Sequence, residues 1–140
     1  MTDATAYLLN NRIGPCAGEG WFCDPVGGVA FIDGVFVVTD SINRRAADRV
    51  MPVVKEEQVA LCRVLRQRLS PNDTVVDVGT GSGVLGLYAA RVCGARVIAI
   101  DIAARSCRFA RRNARMNSVR LSSDVGSLAS GEMVVIHQEL

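Results

Sequence analysis

A glycine-rich segment, Asp77-Val78-Gly79-Thr80-Gly81-Ser82-Gly83, is the part of the sequence best suited to hold a ligand. It follows a β-branched run, Thr74 to Val78, and precedes an apolar stretch that begins at Val84. Glycines let the backbone adopt positive φ angles and let a ligand approach closely. A strand that enters such a loop and leaves it as a helix is typical of a nucleotide or cofactor site. A second acid, Asp101, ends the next β-branched run.

Two classes of cofactor compete for this loop. Residues 81 to 86 satisfy the dinucleotide pattern G-x-G-x-x-G, and Asp101 has the spacing of the acid that binds the ribose. However, Asp77 would place a carboxylate near the pyrophosphate, and like charges 4 Å apart repel by about 4 kcal/mol at an effective dielectric near 20. S-adenosylmethionine, with its sulfonium and ammonium groups, would be attracted instead. Asp101 does not discriminate, because it can accept from ribose hydroxyls in either case.

The segment resembles motif I of the class I S-adenosylmethionine-dependent methyltransferases, Asp-x-Gly-x-Gly-x-Gly. Ala110 to Val119 is similar to the pattern A-x-x-N-A-x-x-N-x-V of one branch. That branch contains the small-domain ribosomal RNA guanine methyltransferases and the release-factor glutamine methyltransferases. The resemblance covers about residues 50 to 136. It implies a Rossmann-like α/β core that transfers a methyl group to a nitrogen of an RNA, protein or small-molecule acceptor.

The resemblance also implies which residues bind the cofactor, S-adenosyl-L-methionine. Asp77 would contact its methionine end, directly or through water, and Asp101 would bind its ribose hydroxyls. Ile102 would lie against the adenine, and Asp124 falls where the family has an acidic residue near that ring. The other expected cofactor-binding residues shape the loop: Gly79, Thr80, Gly81 and Gly83.

The acceptor motif of that branch, Asn/Asp-Pro-Pro-Tyr/Phe after its fourth strand, has no counterpart in the sequence. The β-branched run Met133 to Ile136 is followed by His137-Gln138-Glu139-Leu140 instead, so no catalytic residue can be named. Three explanations stay open: a fragment truncated after the fourth strand, a chain whose exposed sheet edge is covered by a partner chain or a second copy, or a degenerate relative. The alternative function is therefore a non-catalytic cofactor-binding domain that lacks the acceptor site.

The elements that must position these residues alternate between helix and strand from residue 54 onward. Near-continuous apolar strands in such an alternation indicate an α/β fold with a mainly parallel sheet. We expect a partial sheet in the order 3-2-1-4, preceded by a β-hairpin and a leading helix. Expected helices span 54–69, 84–93 and 103–117, and expected strands span 74–78, 96–100, 119–122 and 133–136.

The N-terminal part is expected to be a lead-in over residues 1–50, followed by the cofactor-binding core over 51–140. The lead-in would contain a short helix near residues 4–10 and a hairpin over 29–39, because Asp33-Gly34 suits a tight turn between β-branched runs. In the leading helix, Leu61, Leu65 and Leu69 recur every four residues and predict the apolar face.

Composition limits the class of protein. The chain has 140 residues, of which 49% are hydrophobic, and a mean hydropathy of +0.23, which excludes a disordered chain. No apolar stretch approaches the roughly 20 residues that a membrane-spanning helix needs. The N-terminus lacks a secretory signal, so we expect a cytoplasmic protein. The five cysteines have no Cys-x-x-Cys spacing, and no metal site is expected.

Basic residues concentrate on the expected helix 103–117, although the net charge of the chain is only +2. Spaced at 100° per residue, they share an arc of about 120°. Such a face is compatible with nucleic-acid phosphates, but a solvated helix face is the commoner explanation. The residues are Arg105, Arg108, Arg111, Arg112 and Arg115.

Overall fold

The computed structural model describes residues 20–24, 26–53 and 56–139. The helix expected near residues 4–10 lies outside these ranges. The strands found in the described residues are β1 (Trp21–Asp24), β2 (Val29–Ile32), β3 (Val35–Val38), β4 (Thr74–Val78), β5 (Arg96–Asp101) and β6 (Met133–His137). The helices are α1 (Glu56–Arg68), α2 (Val84–Cys93) and α3 (Ala104–Met116).

The first three strands form an antiparallel sheet in the order β1-β2-β3. Ile32 pairs with Val35, so the hairpin expected between β2 and β3 is confirmed. Its two turn residues, Asp33 and Gly34, have φ angles of 46° and 90°, as a tight hairpin turn requires. The sequence did not predict β1, which pairs Trp21 with Ile32 along the other edge of β2.

The second sheet is parallel and has the order β4-β5-β6. The α/β class is confirmed, but the expected order 3-2-1-4 is wrong: β6 pairs with β5 and not with β4. The expected strand over 119–122 is wrong as well, because it is reduced to a single bridge between Leu121 and Met133. The run in β6 is continuously apolar, as a buried parallel strand requires, whereas Arg120 and Ser122 interrupt the earlier segment.

Each of the two crossovers of the parallel sheet adds its strand on the side away from β4, first β5 and then β6. With the usual right-handed connection, α2 and α3 then cover the same face of the sheet. Val97, Ala99 and Met133 are buried on that face. On the opposite face of β4, Val76 and Val78 are 56% and 62% exposed. In the described part of the chain, the exposed apolar surface on this face is confined to β4, because Ile98 and Ile100 of β5 are half-buried and Val134 of β6 is buried.

The helix α1 packs against α2 through a face slightly different from the one expected. Val59 and Cys62 are buried, and Leu65 and Leu69 are half-buried. Leu61 is 50% exposed, so its placement on the apolar face was wrong. Steps of three and four residues keep a helical stripe on one side, and the stripe here starts from Val59.

The antiparallel sheet shares its core with the parallel sheet. Ile32, Val35 and Val37 lie in the same hydrophobic cluster as Leu87 and Tyr88 of α2. The hydroxyl of Tyr88 donates to Asp33 Oδ2 over 2.9 Å, which ties the hairpin turn to α2. None of the described helices is both long enough and apolar enough to cross a membrane.

Candidate cofactor site

The glycine loop joins β4 to α2 at the carboxyl end of the parallel sheet, the edge at which α/β folds bind ligands. The backbone N–H groups of Gly79 and Thr80 donate to the carbonyl of Ile100 over 2.8 and 3.1 Å. Gly79, Gly81 and Gly83 have φ angles of 74°, 56° and 84°. The loop is thus bent over the end of β5 in a conformation that favours glycine at three positions.

These three glycines have different surroundings. A Cβ atom added to Gly79 or Gly81 would meet no atom within 4 Å, so the loop has open space beside it at these positions. At Gly83 an added Cβ would lie 3.0 Å from the Cβ of Ala110. The first two glycines therefore leave room for a ligand, and the third allows the loop to pack closely on α3.

Asp77 is half-buried beneath the loop. Its Oδ2 accepts hydrogen bonds from Thr80 Oγ1 over 2.7 Å and from the N–H of Gly86 over 3.2 Å. Both bonds use the same oxygen, which leaves Oδ1 available to a donor from a ligand. Thr80 is itself buried, so it orients the carboxylate of Asp77.

Asp101 is buried at the end of β5 and holds the loop in place. Its Oδ2 accepts from the N–H of Gly81 and its Oδ1 from the N–H of Ala103, both over 2.8 Å. Each carboxylate oxygen keeps a second acceptor position for a hydroxyl group. Its neighbour Ile102 is 63% exposed and offers an apolar surface beside the carboxylate.

A cavity of about 160 Å³ opens between the loop and the region around α1. It is lined by Asp77, residues 79–82 of the loop, Val84 and Leu85, and by two residues that the sequence did not single out, Met51 and Gln58. Pockets for whole small molecules typically measure roughly 300 Å³ or more, so this cavity suits one end of a cofactor.

Gln58 supplies an independent indication of a ligand. Its Oε1 is buried and has no hydrogen-bond partner, whereas buried polar atoms are normally bonded. Gln58 and Asp77 both line the cavity, and the carboxylate of Asp77 gives it negative charge. This chemistry fits the ammonium end of S-adenosylmethionine. No sequence pattern marks Gln58, because only the packing of the folded chain brings its helix to the loop.

Asp124 is not brought to this cavity. The carbonyl of Asp124 accepts from Ser122, and Ser122 is bonded to Met133 at the amino end of β6, whereas Asp101 stands at the carboxyl end of β5. The N–H of Ser127 and the hydroxyl of Ser123 donate to the Asp124 carboxylate and lower its pKa. The structure thus gives Asp124 partners within its own loop.

The arginines of α3 do not form one free cationic face. Arg105 makes a bidentate pair with Asp40, and Arg111 donates to the carbonyl of Val135 over 2.8 Å. The exposed ones are Arg108, Arg112 and Arg115. Nucleic-acid binding by this helix stays a prediction, with three exposed arginines instead of five.

The family model described as ribosomal protein L11 methyltransferase (PrmA) matches residues 58–138, more than half of the chain. The ribosomal protein L11 methyltransferase of Pelotomaculum thermopropionicum is 52% identical over 60 residues, which are 42% of this chain and 20% of the relative. That of Symbiobacterium thermophilum is 40% identical over 81 residues, which are 55% of this chain and 27% of the relative. The chain therefore spans about a quarter or less of these curated relatives.

Among solved structures, TYW2 of Pyrococcus horikoshii in complex with MeSAdo gives a TM-score of 0.57 at 17% identity, over 98% of this chain and 46% of that one. The protein PH0793 of the same organism gives a TM-score of 0.55 at 19% identity, over 81% and 37%. At these identities the likeness shows the fold, which is Rossmann-like.

The matched family confirms the class and the cofactor expected from motif I. S-adenosyl-L-methionine is the cofactor, and the dinucleotide hypothesis is set aside. The branch suggested by the Asn-containing helix pattern differs from the family that matches, since neither a guanine nor a glutamine methyltransferase is its description. The chain belongs to the ribosomal protein L11 methyltransferase family of the class I S-adenosylmethionine-dependent methyltransferases.

Proposed function

We propose that this chain forms the cofactor-binding part of a methyltransferase that transfers the methyl group of S-adenosylmethionine to a nitrogen of ribosomal protein L11. Family membership supports the reaction, and the description shared by the curated relatives supports the acceptor. The observation that carries the proposal is the cavity lined by the glycine loop, Asp77 and Gln58, where the buried Oε1 of Gln58 has no hydrogen-bond partner.

The proposed binding residues divide between the two ends of the cofactor. Asp77 Oδ1 and Gln58 Oε1 accept hydrogen bonds from the ammonium group inside the cavity, while the glycine loop lies along the methionine chain. Asp101 accepts from the ribose hydroxyls, and Ile102 packs against the adenine outside the cavity. Asp124 is left out of this site because its hydrogen-bond partners Ser122, Ser123 and Ser127 belong to its own loop.

S-adenosylmethionine, when bound, supplies a methyl group activated by its sulfonium. The residues described here contribute binding and orientation, which suffice to accelerate an in-line displacement when donor and acceptor are held in contact. The negative charge of Asp77 favours the cationic cofactor, and Thr80 keeps that carboxylate turned toward the loop. We assign no catalytic residue, because no described group is placed against the acceptor.

Calorimetric titration with S-adenosylmethionine, with NAD as the control ligand, tests the site. We expect the chain to bind the former and not the latter. Asp77→Asn removes the charge and should raise the Kd roughly tenfold or more, the scale of a lost charged hydrogen bond. Asp124→Asn makes the same change outside the proposed site and should leave the Kd unaltered.

Two outcomes would contradict the proposal. A folded chain that binds neither ligand lacks the cofactor site, and an unchanged Kd in Asp77→Asn removes that residue from it. The acceptor is tested separately by transfer of a radiolabelled methyl group to purified ribosomal protein L11. Cofactor binding without transfer would favour a non-catalytic cofactor-binding domain.

A further inference from the structure

The outer edge of β3 is hydrogen-bonded by the side chains of Asn113 in α3 and of Asn117, the residue that follows α3. Asn113 accepts from the N–H of Val38 through Oδ1 over 2.9 Å and donates to the Val38 carbonyl through Nδ2 over 2.8 Å. Asn117 makes the same pair of bonds with Phe36, over 2.8 and 2.6 Å. Two amides, one helical turn apart, thus take the place of a neighbouring strand.

Asn113 differs from Asn117 in one bond. The Nδ2 of Asn113 also donates to the carbonyl of Ser82 over 2.8 Å, inside the glycine loop. The corresponding bond of Asn117 goes to the carbonyl of Asn113, within α3 itself. Asn113 is completely buried, so no water replaces a bond that it loses.

A second contact holds the Ser82–Gly83 part of the loop against α3. Gly83 packs so closely on Ala110 that an added Cβ would lie 3.0 Å from the Cβ of Ala110 and 3.1 Å from its Cα. Ala110 and Asn113 are three residues apart and therefore lie on one face of the helix. The peptide between Ser82 and Gly83 is thus held by packing on one side and by the Asn113 amide on the other.

We propose that Asn113 is a positioning residue that couples β3 to the cofactor loop by fixing the carbonyl of Ser82. The inference rests on the proposed cofactor site. Without the amide, the buried Ser82 carbonyl loses its hydrogen-bond donor. The peptide is then expected to rotate so that the carbonyl can accept from a different donor. Such a rotation moves Gly81, whose N–H is bonded to Asp101 and whose open side faces the cofactor.

Asn113→Asp and Asn117→Asp provide a matched comparison, because each change removes two N–H donors from a buried amide. We expect both to lower the stability of the chain to urea. Only Asn113→Asp should also raise the Kd for S-adenosylhomocysteine, by roughly tenfold, because a buried carbonyl of the loop is left unsatisfied. The Kd of Asn117→Asp should stay near the wild-type value.

The outcomes separate this inference from the proposed function. If the wild-type chain binds no S-adenosylhomocysteine, the proposed cofactor site fails. If it binds and the two variants show equal affinities, the coupling through Asn113 is wrong.

Hydrogen exchange of the wild-type chain tests the coupling without relying on a variant that folds. The N–H groups of Val38 and Phe36 lie on the same edge of β3 and are held by Asn113 and Asn117 respectively. Bound S-adenosylhomocysteine should slow exchange at Val38 more than at Phe36. Equal slowing at both amides, or none at either while ligand binds, would overturn the proposal.

Discussion

At the residue scale, Gln58 is expected to destabilise the free chain and to stabilise the complex with the cofactor. Gln58 lines the cavity that contains Asp77, and its Oε1 is buried without a hydrogen-bond partner. Leaving a buried acceptor unsatisfied costs about 1–3 kcal/mol. A side chain that destabilises the free protein in this way is expected at a position where a ligand supplies the missing donor.

Gln58→Leu should therefore change stability and binding in opposite directions. Leucine has a similar size and no polar atom, so the free energy of unfolding should rise by about 1 kcal/mol. The affinity for S-adenosylmethionine should fall because its ammonium loses an acceptor. Urea unfolding and calorimetry measure the two quantities.

Gln67→Leu is the control for this experiment, since Gln67 lies on the same helix and is exposed. It should alter neither quantity by much. A Gln58→Leu chain that binds S-adenosylmethionine as tightly as the wild type would exclude the amide from the cofactor site.

At the element scale, the segment after β3 is fastened to α3 by a buried carboxylate. The carboxylate of Asp40 accepts hydrogen bonds from the Arg105 guanidinium and from the N–H of Val50, the latter over 2.9 Å. It also forms an ion pair with Arg44 at 3.5 Å. The hydrogen bonds from Arg105 are the largest influence and hold the pKa of Asp40 below its usual value, against the effect of burial. The folded chain therefore stabilises the ionised carboxylate of Asp40 more than the unfolded chain does.

A lowered pKa contributes stability above the pKa of the unfolded chain, near 3.9, and this stability is lost as the pH falls through the lower value of the folded chain. Asp40→Asn should lower the free energy of unfolding at pH 7 by about 1.5–3 kcal/mol. The deficit should shrink as the pH is lowered below about 4, because the wild type then loses the same charge. Urea titrations across this range give the difference.

Asp48→Asn serves as the comparison, because Asp48 is exposed and forms an ion pair with Arg44 at 3.6 Å. Its effect should stay within about 0.5 kcal/mol at every pH. A deficit of Asp40→Asn that does not depend on pH would assign the loss to packing and not to charge.

The accuracy of the sequence predictions also differs between elements. The hairpin turn, β4, the glycine loop and Asp101 depend on local chemistry, on residues close together in the chain, and the sequence predicted all of them. The position of β6 depends on competition between two distant segments for one edge of β5. Local patterns do not encode that competition, and the order of the sheet was therefore wrong. The sequence did not predict Gln58 as a site residue for the same reason, since Gln58 comes close to the loop only in the folded chain.

At the scale of the whole molecule, the described helices α2 and α3 lie on the same face of the parallel sheet β4-β5-β6. On the opposite face, Val76 and Val78 of the outer strand β4 are each more than half exposed. Exposed apolar residues at the edge of a sheet favour association with another chain. A partner chain or second copy that covers the exposed sheet edge, one of the three explanations left open by the sequence, stays a prediction, and the edge strand β4 is where it can be tested.

The double variant Val76→Thr/Val78→Thr should reduce that tendency while keeping the fold. Threonine preserves the β-branched shape that suits a strand, and these side chains lose little burial. We expect weaker fluorescence of a hydrophobic dye and less concentration-dependent association in sedimentation velocity, with the urea midpoint nearly unchanged. Val75→Thr, on the helix-covered face of the same strand, should instead lower the midpoint, because Val75 packs against the core. If the wild-type chain is monomeric and binds no dye, the exposed valines of β4 do not drive association. Dye binding that the double variant leaves unaltered would place the apolar surface elsewhere, for example at the exposed Leu61 and Val64 of α1.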